Sequence, residues 1–233
     1  MVYKTYKVLL GEVLRETDTE AEDFIQSQEV MDYFNDAVRE AVSHIQKLGL
    51  EDDYFQKSVK YSLTVGLTEL DLPSDIYAAK IRGLVYHTPS KIYEIKRLKG
   101  KDKFVNREWL LRPEANTTFY QYDLENPSPT SGFKIKLYPI SYETLTDCLT
   151  LNYVRTVEVI TGDDSLVDIP EFYSFVKAFV KMKITAKENS DYAMAAKADY
   201  DKEKQLMLET LQEMTPDYGN EIQGDFSFYW DHS

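Results

Sequence analysis

The apolar residues change their spacing twice along the chain, and this limits the possible fold more than any other feature. They recur every three or four residues at both ends and every second residue in the middle. The first spacing places side chains on one face of a helix, whereas alternation places them on one face of a strand. The sequence therefore predicts an α+β fold, with helices at both ends and antiparallel strands between them.

The N-terminal section is predicted to be helical. A first helix covers residues 6–14, and Thr19 with Glu22 has the spacing of a capping box where the chain re-enters a helix. The clearest pattern runs over residues 30–48 and ends at Gly49. Its apolar positions are Val30, Met31, Phe34, Ala37, Val38, Ala41, Val42, Ile45 and Leu48.

The middle section, residues 60–160, has the period of strands. Apolar and polar residues alternate over residues 133–138, and the odd-numbered positions of 149–159 share one phase apart from Arg155. Turn residues separate such runs, as at Gly100. We expect six short antiparallel strands with one buried face, because no segment leaves room for the helix that a parallel βαβ unit needs.

The helical period returns at residue 168. Asp168 is expected to cap a helix whose first turn contains Pro170, and an apolar stripe follows over residues 172–184. A second, alanine-rich helix begins after residues 189–191 and ends at Thr215-Pro216.

Four segments follow from these patterns. We predict an N-terminal helical part over residues 1–58 and an inserted antiparallel β-rich domain over residues 59–165. A helical pair over residues 166–216 would complete a helical bundle with the N-terminal part. Residues 217–233 would form an extended tail.

Charge and cysteine content restrict the function and the compartment. The net charge is −13, which argues against wrapping a nucleic-acid backbone but allows a channel along which DNA slides without sticking. The only cysteine, Cys148, cannot form an intrachain disulfide and fits a reducing compartment. No stretch resembles a signal peptide or a membrane span, so we expect a soluble protein that is made in the cytoplasm.

No residue pattern indicates catalysis. His44, His87 and His232 have no second His or Cys at the spacing of metal ligands, and Asp163-Asp164 is best interpreted as a polar turn. Glycine-rich phosphate loops and nucleophile motifs are absent from the sequence. The prediction is a protein that is not an enzyme, with no catalytic residues, no cofactor and no metal.

One basic run stands out in this acidic chain. Residues 91–107 contain seven Lys or Arg against Glu94 and Asp102, a local charge of +5. The central cations are Lys96, Arg97, Lys99, Lys101 and Lys103. We favour the solvated tip of a β-hairpin that contacts an acidic neighbouring subunit, and a nucleic-acid patch is the alternative.

The tail combines acidic and aromatic residues. Residues 217–233 contain four Asp or Glu and no Lys or Arg. Phe226, Phe228, Tyr229 and Trp230 are predicted to bind another subunit or a partner, because aromatic side chains suit protein interfaces. The alternative is that the tail packs on its own domain.

The order of these segments resembles the head-to-tail adaptor (connector) proteins of tailed, and specifically short-tailed, bacteriophages. Residues 30–41, with an Asn-x-Ala step at Asn35, look like the first core helix of that family. Leu72-Pro73-Ser74-Asp75 is similar to a Leu-Pro-x-Asp motif that follows the first strands, and residues 167–211 are similar to the closing helical pair. The resemblance extends over residues 6–214.

The resemblance implies a structural virion protein at the head-to-tail junction, assembled in the host cytoplasm. Such adaptors form a ring of about twelve copies under the portal protein, extend the DNA channel and provide the platform for tail attachment. The implied partners are further copies of the chain, the portal, tail proteins and double-stranded DNA that passes without sequence-specific binding, with no membrane. Two alternatives remain: a carbohydrate- or single-stranded-nucleic-acid-binding module that uses a Tyr-rich sheet, and a tail-completion or terminator subunit.

Overall fold

A computed structural model describes residues 2–17, 27–88, 92–98, 120–125, 132–138, 140, 141, 143–188 and 192–215. These residues form helices at both ends and strands between them, so the predicted α+β class is confirmed. The expected capping box at Thr19 and Glu22 and the tail over residues 217–233 lie outside the described residues. The chain divides into a helical unit, from the ranges 1–50 and 159–233, and a sheet unit over residues 51–158.

The helices in chain order are α1 (Tyr6–Thr17), α2 (Ser27–Lys47), α3 (Glu51–Phe55), α4 (Tyr173–Lys187) and α5 (Ala193–Met214), with a short 3-10 helix (Pro170–Phe172) directly before α4. The strands are β1 (Gln56–Leu63), β2 (Glu69–Asp71), β3 (Ile76–His87), β4 (Ile92–Glu94), β5 (Lys96–Arg97), β6 (Gln121–Glu125), β7 (Lys134–Tyr138) and β8 (Leu145–Arg155).

The helical unit has its core between α1, α2 and α4, and α5 packs on α4. Phe34 of α2 is fully buried and meets the ring of Tyr6 edge-on, with the ring centroids 5.2 Å apart. The helix over residues 30–48 is thus confirmed, and it ends where Gly49 adopts a φ of 73°. The stripe predicted for α4 is buried through Phe175, Val176, Phe179, Val180 and Ile184.

The start of α1 bonds to a loop, residues 163–165, that precedes the C-terminal helices. The backbone N–H groups of Tyr6 and Lys7 donate to the carbonyl oxygens of Ser165 and Asp163, at 2.8 and 3.1 Å. The first N–H groups of a helix have no partner within it, so these carbonyls take the place of a capping side chain. The residues predicted as a polar turn form one here, and Asp163 also pairs with Lys7 at 3.5 Å.

The expected cap at Asp168 is wrong. Ile169 is the residue directly before the 3-10 helix, with a left-handed φ of 58°, and no side chain caps the helix start. This backbone turn buries Ile169, so Asp168 lies one residue too early to act as the cap. Pro170 does occupy the first turn, as predicted.

The described residues of the sheet unit form two four-stranded sheets, in the orders β1-β8-β3-β4 and β2-β7-β6-β5. The expectation of six strands is therefore too low for the described residues. All pairs but one are antiparallel; β5 pairs with β6 in parallel. Three of the eight strands, β2, β4 and β5, have only three, three and two residues, too few to show a period of two.

Candidate functional site

The carboxylate of Asp75, in the Leu-Pro-x-Asp segment, bonds to the first and last strands of the sheet unit, β1 and β8. Asp75 accepts hydrogen bonds from Lys57 Nζ on β1, at 2.7 Å, and from Tyr153 Oη on β8, at 2.8 Å. Burial alone would raise the pKa of Asp75, but these two donors lower it below its usual value. The motif therefore has a physical role: its carboxylate ties β1 to β8.

A second charged cluster at the same end of the unit was not predicted. Glu51 Oε1, on a side chain that is only 7% exposed, accepts from Lys80 Nζ at 2.7 Å and from Arg82 at 3.3 Å, and Arg82 also bonds Asp52 at 2.6 Å. A bulge in β3 precedes Lys80, because β3 advances from Ile76 to Ile81 while β8 advances only from Arg155 to Tyr153. Ala78 and Ala79 in the bulge have φ values of 46° and 53°. No glycine marks this bulge, so the sequence held no signal for it.

The Asn-x-Ala step of α2 is also explained by its contacts. The buried amide of Asn35 donates to the carbonyl oxygen of Ile160 at 3.1 Å and accepts from the Ile160 N–H at 2.9 Å. One side chain thus satisfies both backbone groups of a residue that lies 125 positions away. Asn35 holds the returning chain against α2 within the helical unit.

Two lysines link the helices of the helical unit. Lys177 of α4 pairs with Glu12 and Glu16 of α1, at 3.2 and 3.1 Å. Lys204 of α5, which interrupts that helix's apolar face, pairs with Glu40 of α2 at 2.6 Å. Lys204 therefore serves to connect α5 to α2 through an ion pair.

Four of these carboxylates make stability depend on pH. The pKa of Glu51 is lowered by its hydrogen bond from Lys80, and that of Glu12 by its hydrogen bond from Lys4. Burial alone would raise the pKa of Glu40, but Lys204 and Tyr200 lower it; Asp75 behaves likewise. A group with a lowered pKa in the folded state stabilises that state above its unfolded pKa and loses this effect as the pH falls through its folded pKa.

We therefore expect the free energy of unfolding to fall steadily once the pH drops below the ordinary carboxyl values of 4.5 for Glu and 3.8 for Asp. Urea unfolding at pH 7, 5, 4 and 3 would measure this dependence. Glu51→Gln should show a shallower slope, because one shifted carboxyl group is removed. A free energy that stays constant down to pH 3 would contradict the prediction.

The outer face of the second sheet carries rows of opposite charge. Lys134 of β7 lies 3.4 Å from Glu69 and 3.6 Å from Asp71 of β2, and Lys136 lies 3.6 Å from Glu125 of β6. The pKa of Lys134 is raised by its hydrogen bond to Glu69. On the inner face the alternating Ile135 and Leu137 are fully buried, as the pattern over residues 133–138 predicted.

The predicted hairpin tip is wrong for Lys96 and Arg97. Both lie in β5, an edge strand among the described residues, where Lys96 pairs with Gln121 and Arg97 with Tyr122. Strand β4, just before them, pairs with β3 in the first sheet, so the chain crosses from one sheet to the other at Ile95. Both cations are exposed.

The remaining predicted site residues lie outside the part of the chain that the structure describes. These are Lys99, Lys101 and Lys103 of the basic run and Phe226, Phe228, Tyr229 and Trp230 of the tail. The proposed roles of these residues therefore stay predictions; of the basic run, only Lys96 and Arg97 are placed by the structure.

Residues 4–222 match the family described as SU10 adaptor protein. The chain belongs to this family. The match covers both units, including Asn35 and Asp75, and it confirms the resemblance to phage head-to-tail adaptors. No curated protein matches the chain.

Membership gives the adaptor a structural role in a phage and makes it a virion component that associates with portal and tail proteins. The matched span includes Lys96 and Arg97 but ends before Phe226, the first of the four aromatic tail residues. The predicted partner-binding residues of the tail are therefore outside the matched region.

The helical unit of the adaptor also contains a groove of about 300 Å³ beside α1, α4 and α5, next to a second of about 260 Å³. Glu16, Lys181 and Asp199 line both. Within the described ranges there is no cluster of three or more His, Cys, Asp or Glu that could hold a metal ion. None of the described helices is both long and apolar enough to cross a membrane.

Proposed function

We propose that this adaptor forms a ring of about twelve copies under the portal, where it extends the DNA channel and provides the platform for the tail. The observation that carries the proposal is the family match over residues 4–222, which spans both units. In the proposed ring the helical unit forms the collar. In this proposal the protein lies at the head-to-tail junction of the virion.

Two physical features support this role. A closed ring needs two different complementary surfaces on each subunit. The sheet unit offers surfaces of both signs, with acidic residues on β2 and basic residues on β5. The net charge of −13 also suits a channel, because a negatively charged wall repels the DNA backbone and lets it slide.

The binding-module alternative needs exposed aromatic side chains on a sheet face. The tyrosines that the strands contribute to the sheet core are instead buried; they are Tyr86, Tyr122 and Tyr153, with Tyr120 directly before β6. Tyr86 and Tyr120 pack edge-to-face at 5.3 Å. This part of the sheet uses its tyrosines for packing, which favours the structural role.

Mixing the purified protein with its portal tests the proposal. We expect a monomer or weak oligomer alone, because copies with a charge of −13 repel each other at low salt, and a ring of fixed stoichiometry on the portal. Light scattering and mass measurement of both samples would show this. Absence of portal binding, with binding to the end of purified tail tubes instead, would replace the adaptor position by that of a terminator. A stable ring of the protein alone at low micromolar concentration would contradict portal-dependent assembly.

A further inference from the structure

One edge of the second sheet carries an excess of negative charge. Glu69 and Asp71 project from β2, the first strand in the order β2-β7-β6-β5. Both approach the same ammonium group, Lys134 Nζ, at 3.4 and 3.6 Å. Two carboxylates thus share one cation, and the Asp71 side chain is 84% exposed. Among the residues that the structure describes, one negative charge on this edge is left without a cation of its own.

The opposite edge carries an excess of positive charge. Lys96 and Arg97 of β5 are exposed, and their cross-strand partners Gln121 and Tyr122 are uncharged. Neither cation forms an ion pair with any residue that the structure describes. Glu94 is close in sequence but belongs to β4, in the other sheet.

The two inner strands continue the same order of charge. Lys134 and Lys136 lie on the outer face of β7, and Glu125 and the half-buried Asp123 lie on the same face of β6. On this face the rows therefore run acidic, basic, acidic and, at Lys96, basic again. Arg97 pairs with Tyr122 and so lies on the opposite face of the β5 edge. Because the first and last rows have opposite signs, a second copy placed beside the first in the same orientation continues the pattern.

We propose that the basic β5 edge of one copy faces the acidic β2 edge of the next copy in the ring. This inference rests on the proposed function, and it names the partner of the basic strand as a second copy of this chain. The contact is heterologous, since β5 and β2 are different surfaces, and a contact of this kind forms a ring when the rotation between neighbouring copies closes. Its charges fix the orientation and neighbour of each copy, and their effect weakens as salt rises.

Two charge-reversal variants test the contact. The first is Lys96→Glu with Arg97→Glu, which leaves both edges acidic; the second is Glu69→Lys with Asp71→Lys, which leaves both edges basic. Each variant alone with the portal should yield at least tenfold fewer rings than the unchanged protein. An equimolar mixture should restore rings, because the two variants can alternate with matched edges. Ring yield can be counted by electron microscopy and by mass measurement.

A matched control changes the net charge by the same amount as the first variant, but at two other residues. Lys60→Glu with Lys202→Glu changes two exposed lysines, on β1 and α5, that belong to neither edge strand, and should assemble normally. Loss of rings in this control equal to that of the first variant would overturn the edge contact in favour of a general charge effect. Normal assembly of both reversal variants would overturn it as well, while leaving the ring itself intact. Normal rings with reduced DNA binding in the first variant would assign the basic strand to nucleic acid.

A measurement on the unchanged protein tests the contact between β5 and β2 without any substitution that could affect folding. Zero-length carbodiimide cross-linking of portal-bound protein should join Lys96 of one copy to Glu69 or Asp71 of another. Isotope-labelled and unlabelled copies, mixed before assembly, identify such links as intermolecular in mass spectra. Links confined to single chains, with rings present, would refute the contact. Absence of rings in the unchanged protein would refute the proposed function itself.

Discussion

Replacing Asn35 with leucine is expected to lower the free energy of unfolding by about 2–6 kcal/mol. The side chain of Asn35 satisfies the N–H and the carbonyl oxygen of Ile160, and Ile160 is only 3% exposed. Leucine has the same branching and number of side-chain heavy atoms but offers neither donor nor acceptor. Both backbone groups of Ile160 would then be buried without partners, and each such group costs about 1–3 kcal/mol.

Urea unfolding followed by circular dichroism would measure this loss. Asp36→Leu is the matched control, because Asp36 is the next residue of α2 and forms only an exposed pair with Arg39 at 3.0 Å. That control should change stability by less than about 0.5 kcal/mol. Equal losses in the two variants would mean that the effect comes from leucine on the helix and not from the Ile160 hydrogen bonds.

Deleting residues 225–233 is expected to abolish stable attachment to the portal while leaving the melting temperature nearly unchanged. The deletion removes Phe226, Phe228, Tyr229 and Trp230. Aromatic anchors that are well buried in an interface contribute about 2 kcal/mol or more each, which corresponds to roughly 30-fold in affinity per residue. Loss of several anchors together would reduce the affinity beyond detection in a pull-down at micromolar concentrations.

A second tail variant separates aromatic docking from charge. Asp217→Asn, Glu221→Gln, Asp225→Asn and Asp231→Asn keep all four aromatic residues and should retain attachment. Differential scanning calorimetry of the truncated protein decides the alternative. A large drop in melting temperature would show that the tail packs on its own domain, and the docking interpretation would then be wrong.

The helices were predictable because their signal is local and repeated. The stripe over residues 30–48 and that over residues 172–184 each contain several turns of regular spacing, and both form helices. Alternation over residues 133–138 identified β7 for the same reason. A strand of two residues such as β5 has no period, so its position in the sheet could not be derived from spacing.

The contacts of the charged residues were not predictable, because they depend on pairing between distant segments. Lys96 and Arg97 were recognised from composition, but their place in a strand at the edge of the described sheet follows from the pairing with β6. Glu51 gave no signal, since its partners Lys80 and Arg82 approach it only after the bulge at Ala78 and Ala79. Asn35 lies in a segment that resembles the first core helix of the family, but its role could not be predicted because its partner Ile160 is 125 residues away.

The helical unit consists of two segments that are far apart in the sequence, residues 1–50 and 159–233. Hydrogen bonds between these segments can form only after the second segment has been synthesised. Lys4 bonds Tyr173 across 169 positions, and Asn35 bonds Ile160 across 125. Ribosomes add roughly 5–20 residues per second, so α2 waits roughly 5–20 seconds for residues 51–158 to emerge before it meets α4. During this interval the sheet unit, whose described strands pair with one another, can fold on its own. The apolar stripe of α2 is meanwhile open to chaperones, and we expect a nascent chain stalled before residue 159 to be bound by them.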